Sequence, residues 1–469
     1  MHQIAPVKAH HIHNLSINSA ANKSNFKEES MKKILLCAGG LILSFACVSA
    51  AYAGAIDNKT NWSAEYIRTL NRNAATDYAD IATYNPAGTV KLNQGFTLNG
   101  SLQLGSKEYS NNVTFQPPLS NFYQGCTECE SDEPSYIPGL FAVYNNKKFS
   151  IFGALTNVAG GGKVDFSQGD WTTIGAQLFL IAVDTTGNLL FPGPQQQING
   201  ESFYLGYTLG AAYAFNDMVS FSFGLRYVDA NREASGSATV IGTPGSSFAV
   251  NFEEEGDGWG GIFGLNLAPN DKVNIGMRYE TKTDIDFGAT VHEDTIISVP
   301  VPGVGIVDVS LLDYLLGIKD GQERPRDLPA VLGLGVSYWL TPKLRTEANL
   351  TYFFNKDADW GGLENRVDDG YDVGIAFEYL FTDKLKGSIG YMYTKLGMEP
   401  EDMTPENPEL DFNTIGGGIA YAITEKLHTN FSIANFFYTD DSFSPSPGIN
   451  VEYEKNIFVL SFGVEYRFM

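Results

Sequence analysis

The feature that most constrains this chain is a period-two alternation of apolar and polar residues that recurs from residue 95 onward. Residues 344–352, 371–379 and 458–468 each place mainly apolar side chains at every second position. Successive side chains of a strand point to opposite faces, so each segment predicts a strand with one apolar face. The apolar series often ends in aromatic residues beside a turn, as at Tyr338 and Trp339. Aromatic strand ends are typical of a transmembrane β-barrel, whose apolar faces point outward to lipid.

Short polar turns alternate with long linkers, and together they predict the number of strands. The short turn signals lie at 145–147, 216–217, 269–272, 341–343, 382–384 and 424–426. The long linkers lie at roughly 106–135, 158–201, 230–247, 291–327, 355–366, 397–409 and 439–450. Six turns and seven linkers join fourteen strands. Short turns of outer-membrane barrels face the periplasm and long loops face outside, so both ends of the barrel chain are expected in the periplasm.

The N-terminal region has the three parts of a secretory signal peptide. A basic start at Met31-Lys32-Lys33 precedes the apolar residues 34–48, and Ala51-Tyr52-Ala53 forms an A-x-A cleavage site. We predict a signal peptide at 31–53, cleaved after Ala53. Residues 1–30 are then expected to be an upstream extension that results from a mis-called start. Export through this signal predicts the outer membrane of a Gram-negative bacterium as the location of the barrel.

Residues 54–94 lack the alternation and contain aromatic residues such as Trp62 and Tyr84. About 40 residues are too few to form a domain alone. Fourteen strands enclose a lumen wider than wall side chains can fill. We therefore predict an all-β fold, a 14-stranded antiparallel transmembrane β-barrel over 95–469, with residues 54–94 as a plug, or hatch, inside it.

Charged residues in the predicted strands fall on the face opposite the apolar series. Arg226 and Arg278 are two of them, and Glu280 and Glu378 have the same parity. A lumen lined by both charge signs is expected, because unpaired charge facing lipid is costly. These residues predict a structural ion-pair network. The alternative is that Arg226 or Arg278 binds the headgroup of a ligand.

The motif Tyr84-Asn85-Pro86-Ala87-Gly88, directly before the first predicted strand, resembles the hatch motif of the FadL/TodX family. These are outer-membrane transporters of long-chain fatty acids and aromatic hydrocarbons. The resemblance extends over 54–469. It continues with Phe152-Gly153-Ala154, Gly258-Trp259-Gly260, Tyr279-Glu280-Thr281-Lys282 and Leu328-Pro329.

The resemblance implies a mechanism of passive uptake and a set of site residues. A hydrophobic molecule is caught by external loops, enters a lumen pocket gated by the hatch, and leaves sideways through a window at a kink in the third strand. The implied gate residues are Asn85, Pro86, Ala87 and Gly88, with the first three against the kink. The implied kink residues are Phe152, Gly153 and Ala154, and Gly153 agrees with this because glycine often marks a bulge. The expected partners are a fatty acid or another hydrophobic small molecule, with outer-membrane lipid around a monomer.

The linker 230–247 is short and polar, where the family usually has a longer helical loop. This departure leaves the capture site and the ligand class open. A candidate replacement is the amphipathic turn that contains Leu311, Leu312, Tyr314, Leu315 and Leu316. It either binds ligand or only packs over the mouth of the barrel. Leu178-Phe179-Leu180 is expected to join it.

Other motifs predict no chemistry. Cys126 and Cys129 lie in an expected external loop with no second pair or histidine nearby, which favours a disulfide over a metal site. The net charge of −23 argues against a nucleic-acid partner. Acidic loop residues are expected to be solvated, or to bridge to lipopolysaccharide through divalent ions. We predict no catalytic residue, no cofactor and no metal, and so not an enzyme. A general diffusion porin and a surface adhesin remain as alternative functions.

Overall fold

The computed structural model describes residues 58–468, apart from 118, 122, 184–190, 242–246 and 302–304. The predicted upstream extension, signal peptide and cleavage site after Ala53 lie outside the described residues.

Fourteen antiparallel strands, numbered 1 to 14 in chain order, form one closed barrel. Strands 1 to 6 are Gly95–Phe115, Glu128–Asn145, Phe149–Phe166, Phe191–Ala214, Val219–Ile241 and Ser247–Asn270. Strand 7 has two segments, Val273–Glu280 and Asp286–Glu293, and strand 8 has Glu323–Pro325 and Ala330–Thr341. Strands 9 to 12 are Leu344–Phe354, Gly370–Leu380, Leu385–Lys395 and Phe412–Ala422. Strand 13 is Leu427–Tyr438, continued by Asp441–Ser446, and strand 14 is Ile449–Phe468. Strand 14 pairs with strand 1 and closes the barrel. The predicted fold class and strand number are confirmed.

The six predicted short turns all join neighbouring strands at one end of the barrel. In each turn an Asn or Thr side-chain oxygen accepts the backbone N–H of the residue three positions later. The accepting residues are Asn146, Asn216, Asn270, Thr341, Thr382 and Thr424. Such side-chain capping mimics a backbone turn, which explains why these turns are readable from sequence.

Between strands 1 and 6 the long linkers were predicted too long, because strand structure continues into them. Residues 106–115 and 128–135 are strand, and in the linker 230–247 strand continues to Ile241 and resumes at Ser247. The outward face there becomes polar, as at Glu233, which pairs with Glu201 and Glu253 on its two neighbours. The ladder of backbone hydrogen bonds therefore continues beyond the apolar band, and an apolar pattern alone cannot detect it.

Between this polar extension and the short turns, the outer surface of the barrel is apolar. Leu209 is 67% exposed and Trp259 is 63% exposed, both pointing away from the lumen. Tyr227 lies between Tyr207 and Trp259, with ring centroids at 6.2 and 5.1 Å. An apolar band edged by aromatic rings is the surface that a membrane barrel presents to lipid.

The remaining elements lie inside the barrel or at the long-loop end. The hatch contains helices α1 (Ala64–Thr69) and α2 (Ile81–Tyr84) and the 3-10 helix Pro86–Lys91. The long loops contain α3 (Trp171–Val183), α4 (Leu311–Leu316) and the hairpin Ile296–Val301 with Gly305–Ser310. Four 3-10 helices complete the loops: Leu119–Asn121, Asn355–Asp357, Leu363–Asn365 and Pro400–Asp402. Within the described part of the chain, no helix is long and apolar enough to cross a membrane.

Candidate functional site

The hatch backbone lies directly on the barrel wall, at positions where the wall has glycine. A Cβ atom added to Gly390 would lie 1.9 Å from the Thr69 carbonyl oxygen, and one on Gly276 would lie 1.9 Å from that of Asn73. Neither distance is compatible with a side chain. These wall glycines therefore admit the hatch into the lumen at close backbone approach.

Ion pairs connect the hatch to the wall near the short turns. Arg68 Nη1 lies 2.5 Å from Glu378 Oε2, and Lys386 Nζ lies 2.7 Å from Asp77 Oδ2. Lys386 Nζ also lies 3.1 Å from Glu378 Oε2. Buried charges require such partners, because an unpaired one carries a large desolvation penalty. The predicted lumen ion-pair network is present, and it includes the hatch.

A buried carboxyl group joins the hatch to strands 1 and 13. Glu65 Oε1 accepts hydrogen bonds from Asn99 Nδ2 at 2.7 Å and Asn430 Nδ2 at 2.9 Å. Burial, reinforced by the Asp80 carboxylate, raises the pKa of Glu65 to about 8. Glu65 therefore contributes to the anchor as a hydrogen-bonding group with little net charge at neutral pH.

The predicted gate motif lies at the short-turn end, against strands 3 to 6. Asn85 Nδ2 donates to Asn266 Oδ1 at 2.8 Å, and the Ala87 carbonyl accepts from Ser220 Oγ at 2.7 Å. Pro86 begins the 3-10 helix, and Gly88 lies over the Asn85 side chain. The expectation that this motif contacts the kink is wrong. Its partners lie beside the short turns, whereas the irregular part of strand 3 lies closer to the long-loop end.

Phe152, Gly153 and Ala154 pair in regular register with both neighbouring strands. Gly153, for example, lies opposite Ala142 and Leu209. The register shifts of strand 3 lie later, at 157–162. The predicted position of the kink is therefore corrected to this segment. Gly160 and Gly162 have backbone φ values of 88° and 71°, which residues with a side chain rarely adopt. These values bend the strand.

Strands 2 and 3 separate where this irregular segment begins. Their last paired residues are Gly139 and Thr156, although strand 2 remains paired with strand 1 and strand 3 with strand 4. Side chains partly bridge the split, as Ser131 Oγ does by accepting the Asp165 N–H at 2.9 Å. The hatch also reaches it, since the Lys59 N–H donates to the Val158 carbonyl at 2.8 Å. The wall thus has a lateral discontinuity beside the start of the hatch.

A cavity of about 150 Å³ lies behind this split. Gly160 and Gly161 of the irregular segment contribute to its lining. Its apolar walls come from the residues Tyr66, Ile137, Phe353, Met392, Leu396, Phe412, Phe436, Ile457 and Val459. The cavity is therefore bounded by the hatch, by strand 3 and by the opposite wall of the barrel.

Three lysines, Lys59, Lys107 and Lys455, line the same cavity. Lys107 Nζ donates to the carbonyl oxygens of Gly161 at 2.9 Å and Lys163 at 2.6 Å, across the split from its own strand. Burial of Lys59, with the Lys107 ammonium nearby, lowers the pKa of Lys59 to about 7. Apolar walls with three clustered lysine amino groups make this cavity amphipathic.

The other predicted ligand-binding residues lie elsewhere. Arg226 Nη1 lies 2.5 Å from Glu280 Oε2, and Arg278 pairs with Glu280 and donates to the Thr83 carbonyl. Neither arginine lines the cavity, which favours the structural alternative for both.

Helix α4 packs over the mouth of the barrel. Leu311, Leu312, Leu315 and Leu316 are buried in an apolar cluster at the long-loop end. The Tyr314 ring stacks on that of Phe179 in α3, with centroids 4.2 Å apart. These contacts favour the alternative in which this turn covers the mouth. Also at this end, Cys126 and Cys129 are joined in a disulfide.

The sequence interpretation missed the three cavity lysines. Lys107 and Lys455 fall in segments assigned to a linker and to an unremarked strand, and Lys59 falls in the hatch. Their one sequence signal is lumen-facing parity, because Lys107 and Lys455 are each buried between two more exposed neighbours. Parity does not report that the three side chains converge.

Solved structures share this architecture. A FadL homologue of Pseudomonas aeruginosa has a TM-score of 0.63 at 12% identity, over 89% of this chain and 100% of that chain. This chain has the same fold. The toluene transporter TodX of Pseudomonas putida has a TM-score of 0.57 at 13% identity, over 84% of this chain and 96% of that chain. The toluene transporter TbuX of Ralstonia pickettii has a TM-score of 0.52 at 15% identity, over 83% and 94%. The resemblance read from sequence is confirmed at the level of fold, while no protein-family profile and no curated protein matches the sequence.

Proposed function

We propose that this chain is an outer-membrane channel for passive uptake of hydrophobic small molecules, with long-chain fatty acids as the preferred class. The observation that carries the proposal is the amphipathic cavity with Lys59, Lys107 and Lys455. A fatty acid has an alkyl chain for the apolar walls and a carboxylate that an ammonium group binds by charge-assisted hydrogen bonds. An uncharged aromatic hydrocarbon uses only the apolar part.

The split between strands 2 and 3 supports lateral exit. The hatch is ion-paired to the wall at the short-turn end, and this opposes straight passage into the periplasm. The irregular segment 157–162 both lines the cavity and borders the split. A ligand in the cavity leaves sideways by way of this opening, with Lys59 as the hatch residue beside it. The mature chain lies in the outer membrane of a Gram-negative bacterium, after removal of residues 31–53.

The fold comparison supports the general class of function, since the similar proteins include a FadL homologue and two toluene transporters. A general diffusion porin is less well supported, because the ion-paired hatch occupies the lumen. No observation specifically favours an adhesin.

Binding measurements on the purified protein in detergent test the proposal. Dodecanoate and 1-dodecanol have the same alkyl chain and differ in charge. Dodecanoate is expected to bind more tightly than dodecanol. K59M, K107M and K455M should each weaken dodecanoate binding at least about tenfold, since a charge-assisted hydrogen bond contributes about 1.5 to 3 kcal/mol. Dodecanol binding should change little. The matched control is K356M, because Lys356 is exposed in a long loop.

Two outcomes would contradict the proposal. Equal affinity for the two probes in the unchanged protein would remove the preference for fatty acids. Absence of binding by either probe, together with no uptake into vesicles that contain the protein, would remove the channel function itself.

A further inference from the structure

One external loop turns inward and lies between the mouth of the barrel and the cavity. All eight residues from Met403 to Leu410, in the loop that joins strands 11 and 12, are buried. Four of them are polar or charged, although surface loops usually expose such residues. Met403 and Leu410 pack in the apolar cluster under the long loops, whereas Asn407 lines the cavity. We call this segment, 403–410, the inner loop.

Hydrogen bonds from strands 1 and 14 connect the inner loop to the wall. Asn111 Nδ2 of strand 1 donates to the Pro405 carbonyl at 2.9 Å. Lys455 Nζ of strand 14 donates to Asn407 Oδ1 at 2.7 Å and to the Pro408 carbonyl at 3.2 Å. Asn407 also lies against Gly161 at the irregular part of strand 3. The tip of the inner loop is therefore tied to one of the cavity lysines.

The two oxygens that accept hydrogen bonds from Lys455 are neutral, an amide oxygen and a backbone carbonyl, and the Glu409 carboxylate of the same loop attracts Lys455 electrostatically. A carboxylate forms shorter and stronger hydrogen bonds with an ammonium group than a neutral oxygen does. A carboxylate in the cavity therefore competes with Asn407 and Pro408 for Lys455. Release of that contact frees the tip of the inner loop from strand 14, while Glu406 stays hydrogen-bonded to Asp170.

We propose that the inner loop is a gate whose closed position is held by the Lys455–Asn407 contact. An anionic ligand opens the gate by replacing Asn407 as the hydrogen-bond acceptor of Lys455. The inference rests on the proposed function, because it takes a fatty acid as the ligand of the cavity. It assigns the regulation of the cavity to one loop–lysine contact, separate from the hatch.

Accessibility of the inner loop to a water-soluble maleimide tests this. T404C introduces a buried thiol into the inner loop. Cys126 and Cys129 are protected in their disulfide, and Cys37 and Cys47 fall in the predicted signal peptide. Dodecanoate should raise the labelling rate of T404C severalfold, and 1-dodecanol should not. The added K455M substitution should make the rate independent of dodecanoate. S120C, at an exposed loop position, is the control and should label at one rate throughout.

Direct measurement of dodecanoate binding on T404C separates the two proposals. If dodecanoate binds and the labelling rate is unchanged, the gate is wrong and the proposed function stands. If dodecanoate does not bind to T404C or to the unchanged protein, both are wrong.

A cross-link gives an independent measurement of the same gate. A disulfide between N111C and P405C fixes the inner loop to strand 1, and uptake of dodecanoate into vesicles should fall about tenfold or more, because a gate that cannot open limits the flux. Reduction should restore uptake. The control is S110C with E454C, an in-register pair on strands 1 and 14 that are already joined. Unchanged uptake in the oxidised N111C–P405C protein would overturn the gate.

Discussion

The two ends of the hatch meet the barrel wall in different ways. Toward the short turns, Arg68 forms a buried ion pair with Glu378, and Asp77 forms a half-buried one with Lys386. Toward the long loops, Lys59 donates hydrogen bonds to the Val158 carbonyl and the Asn157 amide oxygen of strand 3, and it borders the cavity. Paired buried charges hold one end in a single position, whereas a contact edge with empty space beside it can rearrange. The difference indicates a fixed plug at the short-turn end and a movable edge at the cavity.

The largest expected effect comes from breaking the fixed end. E378Q removes the carboxylate that Arg68, Arg345 and Lys386 share. Loss of one member of a buried ion pair typically costs about 3 to 5 kcal/mol, so the free energy of unfolding should fall by that order in a urea titration in detergent. Single-channel recordings should show steady conductance as the hatch loosens. D368N, which breaks an exposed ion pair, is the control and should leave both measurements unchanged.

A smaller effect is expected at the movable end, from straightening strand 3. G160A places a Cβ at a φ of 88°, 2.6 Å from the Ser202 carbonyl oxygen. We expect a loss of about 1 to 3 kcal/mol in unfolding free energy and slower uptake of dodecanoate. G153A is the matched control, because Gly153 pairs regularly and its Cβ would meet only one atom, at 3.4 Å. A larger loss for G153A than for G160A would return the kink to its sequence-predicted position.

Dodecanoate binding should depend on pH through Lys59, at the movable end of the hatch. Because the pKa of Lys59 is lowered to about 7, its side chain is mainly the neutral amine above that pH. A bound carboxylate stabilises the charged form and raises this pKa, so binding takes up a proton above pH 7. Dodecanoate affinity should be greatest below about pH 7 and fall severalfold by about pH 9, as linkage requires. Dodecanol affinity should stay flat, and K59M should reduce the slope for dodecanoate. A slope that persists unchanged in K59M would contradict this assignment.

The smallest effect is expected at the gate motif predicted from sequence. S220A removes the hydrogen bond to the Ala87 carbonyl, which stabilises by about 1 kcal/mol at most sites. A decrease of that size in unfolding free energy, with unchanged uptake, is expected because this motif lies at the fixed end. Strongly altered uptake in S220A would show that the motif also controls the cavity.

The barrel was predictable because its determinants are local. Every second side chain of a strand points outward, and it is apolar because it contacts lipid. Each short turn begins with an Asn or Thr whose side chain caps the backbone of the turn. The ends of the strands near the long loops, such as residues 230–241, were not predicted because their outward face meets water. The hatch was predictable as a plug from its length and aromatic content, although its residue contacts were not.

A fourteen-stranded barrel with an apolar outer face, a charged lumen and an N-terminal plug could be predicted from residue order alone. The position of the split in the wall, the pairing of the arginines and the meeting of Lys59, Lys107 and Lys455 at one cavity became visible in the folded chain. Strand alternation depends on neighbours in the chain, whereas convergence in the lumen depends on register between distant strands. That register is set by closure of the barrel around the hatch, and no local pattern encodes it.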